Sequence, residues 1–426
     1  MRCPMNRRLA YILLPWIGPC VRILQGLMMS RSTNRGYVAS ASDTNSLAED
    51  SRARRIVTNA TEMYLRAVAV RPAKRLSQVV WNVVELYPDE FRVAEGSTDS
   101  SDPSKDEGRS EVLQASFVAA LLRAEETRRD VLRLMANPLV SSEELARKFQ
   151  TDRLLRLETL TMRQHGGRVE IQIELPETLN AETNQLALDL EIAVDIGTTT
   201  PGVTLGVIRG GLINSGKYQG SRVLSSGINL KHLAEGKISF LEFLLEKEVG
   251  LLRKIFSGVY DPTVRRKKDL LWVCIVDSFA IGGGLQLALA CDHVILVDNA
   301  WVALPAVNEG IIPGVAPLRL RERVSLSALR EILFSGRRVP SSDALSIGLV
   351  DTVCSSDELS ARISDLEKQS QIPAVLANKA IVNGTVEPDD IFARYMADFA
   401  EAQAELIRSP EMLARTRNFM GGSHES

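Results

Sequence analysis

The stretch Ser278–Ile295, SFAIGGGLQLALACDHVI, carries an apolar run into three consecutive glycines and straight on into a helix-like Leu/Ala run. Glycines at a strand-to-helix turn let another group come against the backbone, and three chemistries compete for that space. A phosphate cradle is the first. GGGLQ lacks the GxGxxG spacing, however, and the Gly216-Lys217 pair is followed by Tyr218 where a phosphate loop needs Ser or Thr. Close packing of helix on strand is the second, and it needs no ligand. The third is an oxyanion hole: amides in the first helical turn have no intrahelical acceptor, and the helix dipole adds partial positive charge where a carbonyl oxygen turns negative. One such donor is typically worth about 2.7 to 4 kcal/mol of transition-state stabilisation. A hole takes two donors. The second candidate loop is RVLSSGINLKHL, Arg222–Leu233, where Ser225-Ser226-Gly227 separates a strand-like end from a helix expected from Asn229.

The surrounding elements must bring these loops together. From Ser46 to Met162 apolar residues recur at three- and four-residue spacing, which predicts helices, while Glu95–Ser110, EGSTDSSDPSKDEGRS, predicts a flexible loop. The period changes at Arg168. RVEIQIELP alternates as a half-buried strand, VTLGVIRGG (Val203–Gly211) gives another, LLWVCIVDSFAI (Leu271–Ile281) reads as one continuous buried strand, and DHVILVDNAWVAL supplies one or two more. Helical patterns alternate with them at Asn184–Asp195, Ser239–Phe256, Gly284–Cys291 and Ser325–Leu333, so the class is α/β with a largely parallel sheet. Helices return over Pro373–Phe419. The expected organisation is a leader or disordered segment (1–42), a helical N-terminal domain (43–162), an α/β core (163–370) and a C-terminal helical region (371–426).

With 45% apolar and 24% charged residues in 426, the chain can bury a large core. A net charge of −2 offers no basic stripe for a phosphate backbone, which argues against nucleic acid as the main partner. Five cysteines without a CxxC pair and four dispersed histidines suggest a reduced compartment and no metal site. The first 42 residues hold six arginines and no acid before Asp43, as a mitochondrial presequence would, and Pro15, Gly18, Pro19 and Arg22 interrupt the run that a membrane anchor would need. The expected location is cytoplasmic or mitochondrial.

The two loops, with LPAVNEGIIPG at Leu304–Gly314, resemble in order and spacing the crotonase superfamily of enoyl-CoA hydratases and isomerases over roughly Arg168–Glu367. The resemblance implies a spiral of ββα units, an acyl-CoA thioester as substrate, and two backbone N–H donors, at Ile228 and Gly283, holding the oxygen of a thioester enolate. It also implies a homo-trimer or hexamer. Within the superfamily, SSGINLKHLAEGKISFLEFLLEKEVGLLRKIF, FAIGGGLQLALACDHV, NEGIIPG and PAVLANKAIV resemble the 3,5-dihydroxyphenylacetyl-CoA dioxygenases, which also carry a helical N-terminal domain. That branch implies cleavage of an arylacetyl-CoA by O2 to an arylglyoxylate and CoA, with no metal, flavin or other cofactor.

Hydratases place and activate water with two carboxylates. At those two positions this chain has Gln286 and Ala306, neither of which exchanges a proton usefully. The resemblance assigns Gln286 to a ring hydroxyl and Glu182, in LNAETN, to the phenolic hydroxyls. A buried amide satisfying backbone and a solvated helix-start carboxylate are the plainer alternatives. Lys247, in LLEKEVG, stands where the branch has an arginine, and a lysine offers a point charge rather than a planar fork. Gly227, Asn229, Gly282 and Gly284 flank the donors on the substrate-binding loops. Tyr218, Arg222, Ser226 and Lys231 are expected near the nucleotide end of CoA. Leu285 and Leu287 line an O2 pocket or are simply core, and Glu309 is an isomerase-type base or a structural cap. Two other functions stay open: an isomerase, hydratase or thioester hydrolase acting on another acyl-CoA, and a catalytically silent CoA-binding protein.

Overall fold

The computed structural model describes residues 41–91, 103–261, 264–407, 409, 411 and 412. The expected leader lies outside them but for its last two residues, as do residues 95–102 of the expected loop. The chain divides into compact units at Leu47, and the elements discussed here belong to the unit that begins at Ala48.

The strands are β1 (Leu154–Arg156), β2 (Leu160–His165), β3 (Arg168–Ile173), β4 (Leu205–Gly210), β5 (Val259–Asp261), β6 (Arg266–Lys268), β7 (Leu271–Val276), β8 (Phe279–Ile281), β9 (His293–Val297), β10 (Trp301–Ala303), β11 (Arg338–Pro340) and β12 (Thr352–Cys354). The larger sheet runs β1-β2-β3-β4-β7-β9-β12, antiparallel up to β3 and parallel beyond it. A smaller sheet, β11-β10-β8, pairs β10 with β8 in parallel. A repeating unit is visible. β7 enters the large sheet, β8 the small one, and the helix Gly283–Ala290 follows; β9, β10 and the helix Ala306–Glu309 repeat the pattern. After β4 the small-sheet strand shrinks to a single parallel bridge, Ser225 to Ala280, before the helix Leu230–Ala234. This is the expected spiral of ββα units.

Leu271–Ile281 is therefore two strands rather than the single one its apolar run predicts. Asp277 and Ser278 make the break: Arg209 Nε donates to Asp277 Oδ2 at 2.8 Å, and the Ser278 hydroxyl bonds the Arg222 carbonyl. Those side-chain contacts hold the point where the chain steps from one sheet to the other.

Among the N-terminal helices, Pro103–Arg123 begins inside the stretch expected to be a loop. Pro103 stands at its first position, where the missing amide is no loss and φ is already helical. Helix Val140–Asp152 ends on Arg153 in the left-handed region (φ 55°), so β1 starts at Leu154, ahead of the expected boundary at 162. The helices share one hydrophobic core with the sheet layer through Met135, Phe149, Met162 and Leu190.

Ion pairs tie the same elements. Arg75 reaches Glu191 (2.6 Å) and Glu246 (2.9 Å), and Lys254, fully buried, lies 2.7 Å from Glu191 and 2.8 Å from Asp195. Asp195 also accepts from the Leu139 amide (2.7 Å) and the Ser142 hydroxyl (3.0 Å). The helix Asn184–Thr199 is thus locked against Phe240–Ser257, which continues through the π-helical turns Phe240–Leu245 and Lys247–Leu252 into Arg253–Ser257. Such i→i+5 turns alter which side chains share a face and recur at functional sites.

Candidate active site

Ser225 and Ala280 pair in parallel, and the Ile281 amide donates to the Ser225 carbonyl at 2.9 Å. Three residues on from that bridge in each segment stand Ile228 and Gly283, and both line one cavity. Gly227 (φ 92°) and Gly282 (φ 53°) turn the two segments out of the bridge, and a Cβ on Gly282 would lie 3.4 Å from the Gly227 Cα. A side chain would strain both positions. Neither the Ile228 nor the Gly283 amide has an acceptor among the described residues, and Gly283 opens an eight-residue helix whose dipole adds to the field.

Glu182 comes from a third segment of the same chain. Its amide donates to the Gly227 carbonyl (2.7 Å), and its carbonyl accepts from Asn229 (2.9 Å). The buried carboxylate pairs with Lys247 Nζ at 3.0 Å, and that ammonium lies 4.8 Å from the Phe243 ring centroid. A Cβ on Gly283 would sit 1.5 Å from Glu182 Oε2, so the group that comes against this glycine is a carboxylate. Gly284 serves packing instead: its Cβ would fall 2.8 Å from the Ser225 Cβ.

Around these residues lies a narrow cavity lined also by Gln286, Glu248, Ala306, Glu309, Ile311 and Phe399. Its free volume is about 30 Å3, room for a water or two, so an acyl group must push the walls apart. Phe399 belongs to the helix Asp389–Ile407, which makes the C-terminal region part of the wall. Gln286 is buried, and its Oε1 has no hydrogen-bond partner among the described residues. An amide oxygen in that state lacks a donor that a ligand hydroxyl would supply.

Glu248 was not singled out from the sequence. It is buried and accepts from the Val315 amide at 2.9 Å, and burial pushes its carboxyl up against the partial opposition of Lys247 and that amide. A signal was present: Phe243 with Lys247, and Leu244 with Glu248, are i,i+4 pairs that put two charges on an otherwise apolar helix face. Glu309 caps nothing. It makes no hydrogen bond or ion pair among the described residues, and burial alone pushes its carboxyl up to about 7. Because folding favours the protonated form, this contribution is fully present below the unfolded-chain pKa of about 4.3 and is lost as pH rises through about 7. Glu309→Gln should therefore flatten the fall in unfolding free energy between pH 5 and 8, by on the order of 1–2 kcal/mol after discounting partial exposure, as urea titrations across that range would read.

Other expected positions lie outside the cavity. Arg222 Nη1 donates to Gln172 Oε1 (3.0 Å) and to the Gly210 carbonyl (3.2 Å), and Ser226 Oγ donates to the Thr178 carbonyl (3.0 Å). Asn229 Oδ1 caps the helix Leu230–Ala234 by accepting from His232 N at 3.0 Å, and Lys231 is exposed on that helix. Tyr218 packs its ring edge-on to Phe279 with centroids 5.0 Å apart. Leu285 and Leu287 are buried in the core cluster. Among the described residues, no group of three or more His, Cys, Asp or Glu is placed to hold a metal ion.

Residues 163–397 match the family described as Enoyl-CoA hydratase/isomerase. The chain is 34% identical over 408 residues to the (3,5-dihydroxyphenyl)acetyl-CoA 1,2-dioxygenase of Amycolatopsis orientalis, covering 94% of this chain and 93% of that one. It is 30% identical over 242 residues to the carnitinyl-CoA dehydratase of Citrobacter koseri, 54% of this chain and 82% of the other. Two crystal structures share the fold at a TM-score of 0.52. An enoyl-CoA hydratase from Bacillus halodurans is 21% identical, with 61% of this chain and 100% of that one covered. An enoyl-CoA hydratase/isomerase from Mycobacterium paratuberculosis is 20% identical, with 62% and 98% covered.

Proposed function

Because this chain belongs to the enoyl-CoA hydratase/isomerase family, we propose that it is a cofactor-independent dioxygenase that cleaves a (3,5-dihydroxyphenyl)acetyl-CoA-like thioester with O2 to an arylglyoxylate and CoA. One observation carries this reading: the amides of Ile228 and Gly283, without an acceptor among the described residues, both belong to the lining of a cavity whose two hydration positions are Gln286 and Ala306. An enolate can be held there, and water addition lacks its acid and base.

In this reading the two amides take the thioester oxygen as the α-carbon loses a proton and the C–H electron pair spreads into the carbonyl. Glu182, held by Lys247, accepts a phenolic proton and enriches the ring, and the Gln286 Oε1 accepts from a ring hydroxyl. The α-carbon gives an electron to O2, and recombination of the radical pair forms a C–O bond and leaves a peroxide at that carbon. The distal peroxide oxygen attacks the thioester carbon and expels CoA as thiolate. Loss of the second α-hydrogen as a proton supplies the electron pair that breaks O–O, leaving a ketone and a carboxylate. Both atoms of O2 end in the arylglyoxylate. The reading of a trimer or hexamer is supported by the exposed Ile381 and Val382 on the helix Pro373–Val386.

The test is O2 uptake by metal-stripped protein supplied with (3,5-dihydroxyphenyl)acetyl-CoA. One O2 should be consumed per CoA thiol released, and thiol release without O2 uptake would reject the reading. An isomerase remains the second reading because Glu309, unpaired and near neutrality, suits a proton shuttle. Turnover of an enoyl-CoA under strict anaerobiosis would point there.

A further inference from the structure

The geometry points to Glu309 as the base that takes the α-proton of the thioester. Three carboxyls line the cavity beside Ile228 and Gly283: Glu182, Glu248 and Glu309. Glu182 is paired with Lys247 at 3.0 Å and, in the reading above, is engaged with the ring hydroxyls rather than the α-carbon. Glu248 is committed to the Val315 amide, and Gly314 stands between it and Gln286: a Cβ there would come within 2.3 Å of Glu248 Oε1 and 2.6 Å of Gln286 Oε1. Glu309 alone of the three has no ion pair or hydrogen bond among the described residues.

Its position follows from the fold. The ββα unit that ends in Ala306–Glu309 is the next turn of the spiral after the one that ends in Gly283–Ala290, so successive helix starts and ends meet at one cavity. A general base works best with a pKa near the working pH, and burial without a counter-charge brings Glu309 there. The proton transfer balances simply. The α-C–H bond breaks, its electron pair stays on the substrate as the enolate held by the two amides, and the proton moves to a Glu309 oxygen. The same carboxyl can later return that proton to the departing CoA thiolate.

This inference rests on the enolate reading but not on O2, so its test omits O2. Phenylacetyl-CoA in D2O under anaerobic conditions should exchange its α-hydrogens in the presence of wild-type protein, with a rate that rises as pH passes through about 7. The titratable groups facing the same cavity are Glu182, Lys247 and Glu248. Glu309→Gln should slow exchange by roughly 10²–10⁴-fold and remove that pH step, while the Kd for the thioester by calorimetry stays within about twofold. Glu309→Asp should restore part of the rate and the step. Exchange that survives Glu309→Gln with its pH profile intact overturns the assignment while leaving the dioxygenase reading to its own assay. Exchange that is lost in Glu309→Gln, from a protein that takes up no O2 with the dihydroxyphenyl substrate, supports the base and rejects the oxygenase. A wild-type protein that shows neither exchange nor O2 uptake overturns both.

Discussion

Gly283→Ala should lower kcat by about 10²-fold or more with little change in KM, because it strikes the oxyanion donor and the carboxylate together. The added methyl would lie 1.5 Å from Glu182 Oε2 and 2.2 Å from its Cδ. A long exposed glutamate would swing aside. Glu182 is buried and pinned by Lys247, so either the ion pair parts or the helix start retreats and takes the Gly283 amide with it. The stability cost of such overpacking is typically about 1–3 kcal/mol, so the variant should still fold, which circular dichroism checks. Glu182→Ala removes the obstacle. If the clash is the cause, the Glu182→Ala/Gly283→Ala double variant should match Glu182→Ala alone rather than sum the two losses. Near-wild-type turnover from Gly283→Ala would refute the placement of carboxylate and amide.

The glycine run and its companion loop were legible because the backbone itself sets their chemistry. Positive φ at Gly227 and Gly282 and a free amide at a helix start leave marks that a sequence preserves: glycines where a strand gives way to a helix. Gln286 and Ala306 were equally legible, being fixed offsets from those marks. Side chains that depend on packing between distant segments were not. Nothing in NEGIIPG tells that Glu309 will lack a partner, since that depends on what the Phe240–Ser257 and Asp389–Ile407 helices leave open beside it. Arg222 and Ser226 illustrate the converse. Their types suit a nucleotide, and the partners that hold them, Gln172 and the Thr178 carbonyl, are about fifty residues away in sequence, a contact no local motif announces. The strand break at Asp277-Ser278 was visible as two polar residues in an apolar run, but a small sheet to receive the second half could not be read from the run alone.

Lys254 is where stability and site geometry meet. Replacing it by methionine keeps the volume and removes the ammonium that bridges Glu191 and Asp195, leaving Arg75 paired to Glu191. Removing one partner of a buried pair typically costs about 3–5 kcal/mol, because the charge left behind is neither solvated nor compensated. Lys254→Met should therefore show a clearly lower urea midpoint, and Lys254→Met/Asp195→Asn should recover much of the loss. The pH dependence has a definite sign. Burial already raises the Asp195 carboxyl against Lys254, and without the lysine it rises further. The folded variant then binds more protons than the unfolded chain, so its deficit against wild type should grow from pH 5 to pH 8. Catalysis should suffer as well: Lys254 and Lys247 lie on one continuous helix, and the pair that anchors it to Asn184–Thr199 also fixes where Lys247 meets Glu182. A deficit that stayed constant across that pH range would mean that Asp195 is not the group left uncompensated.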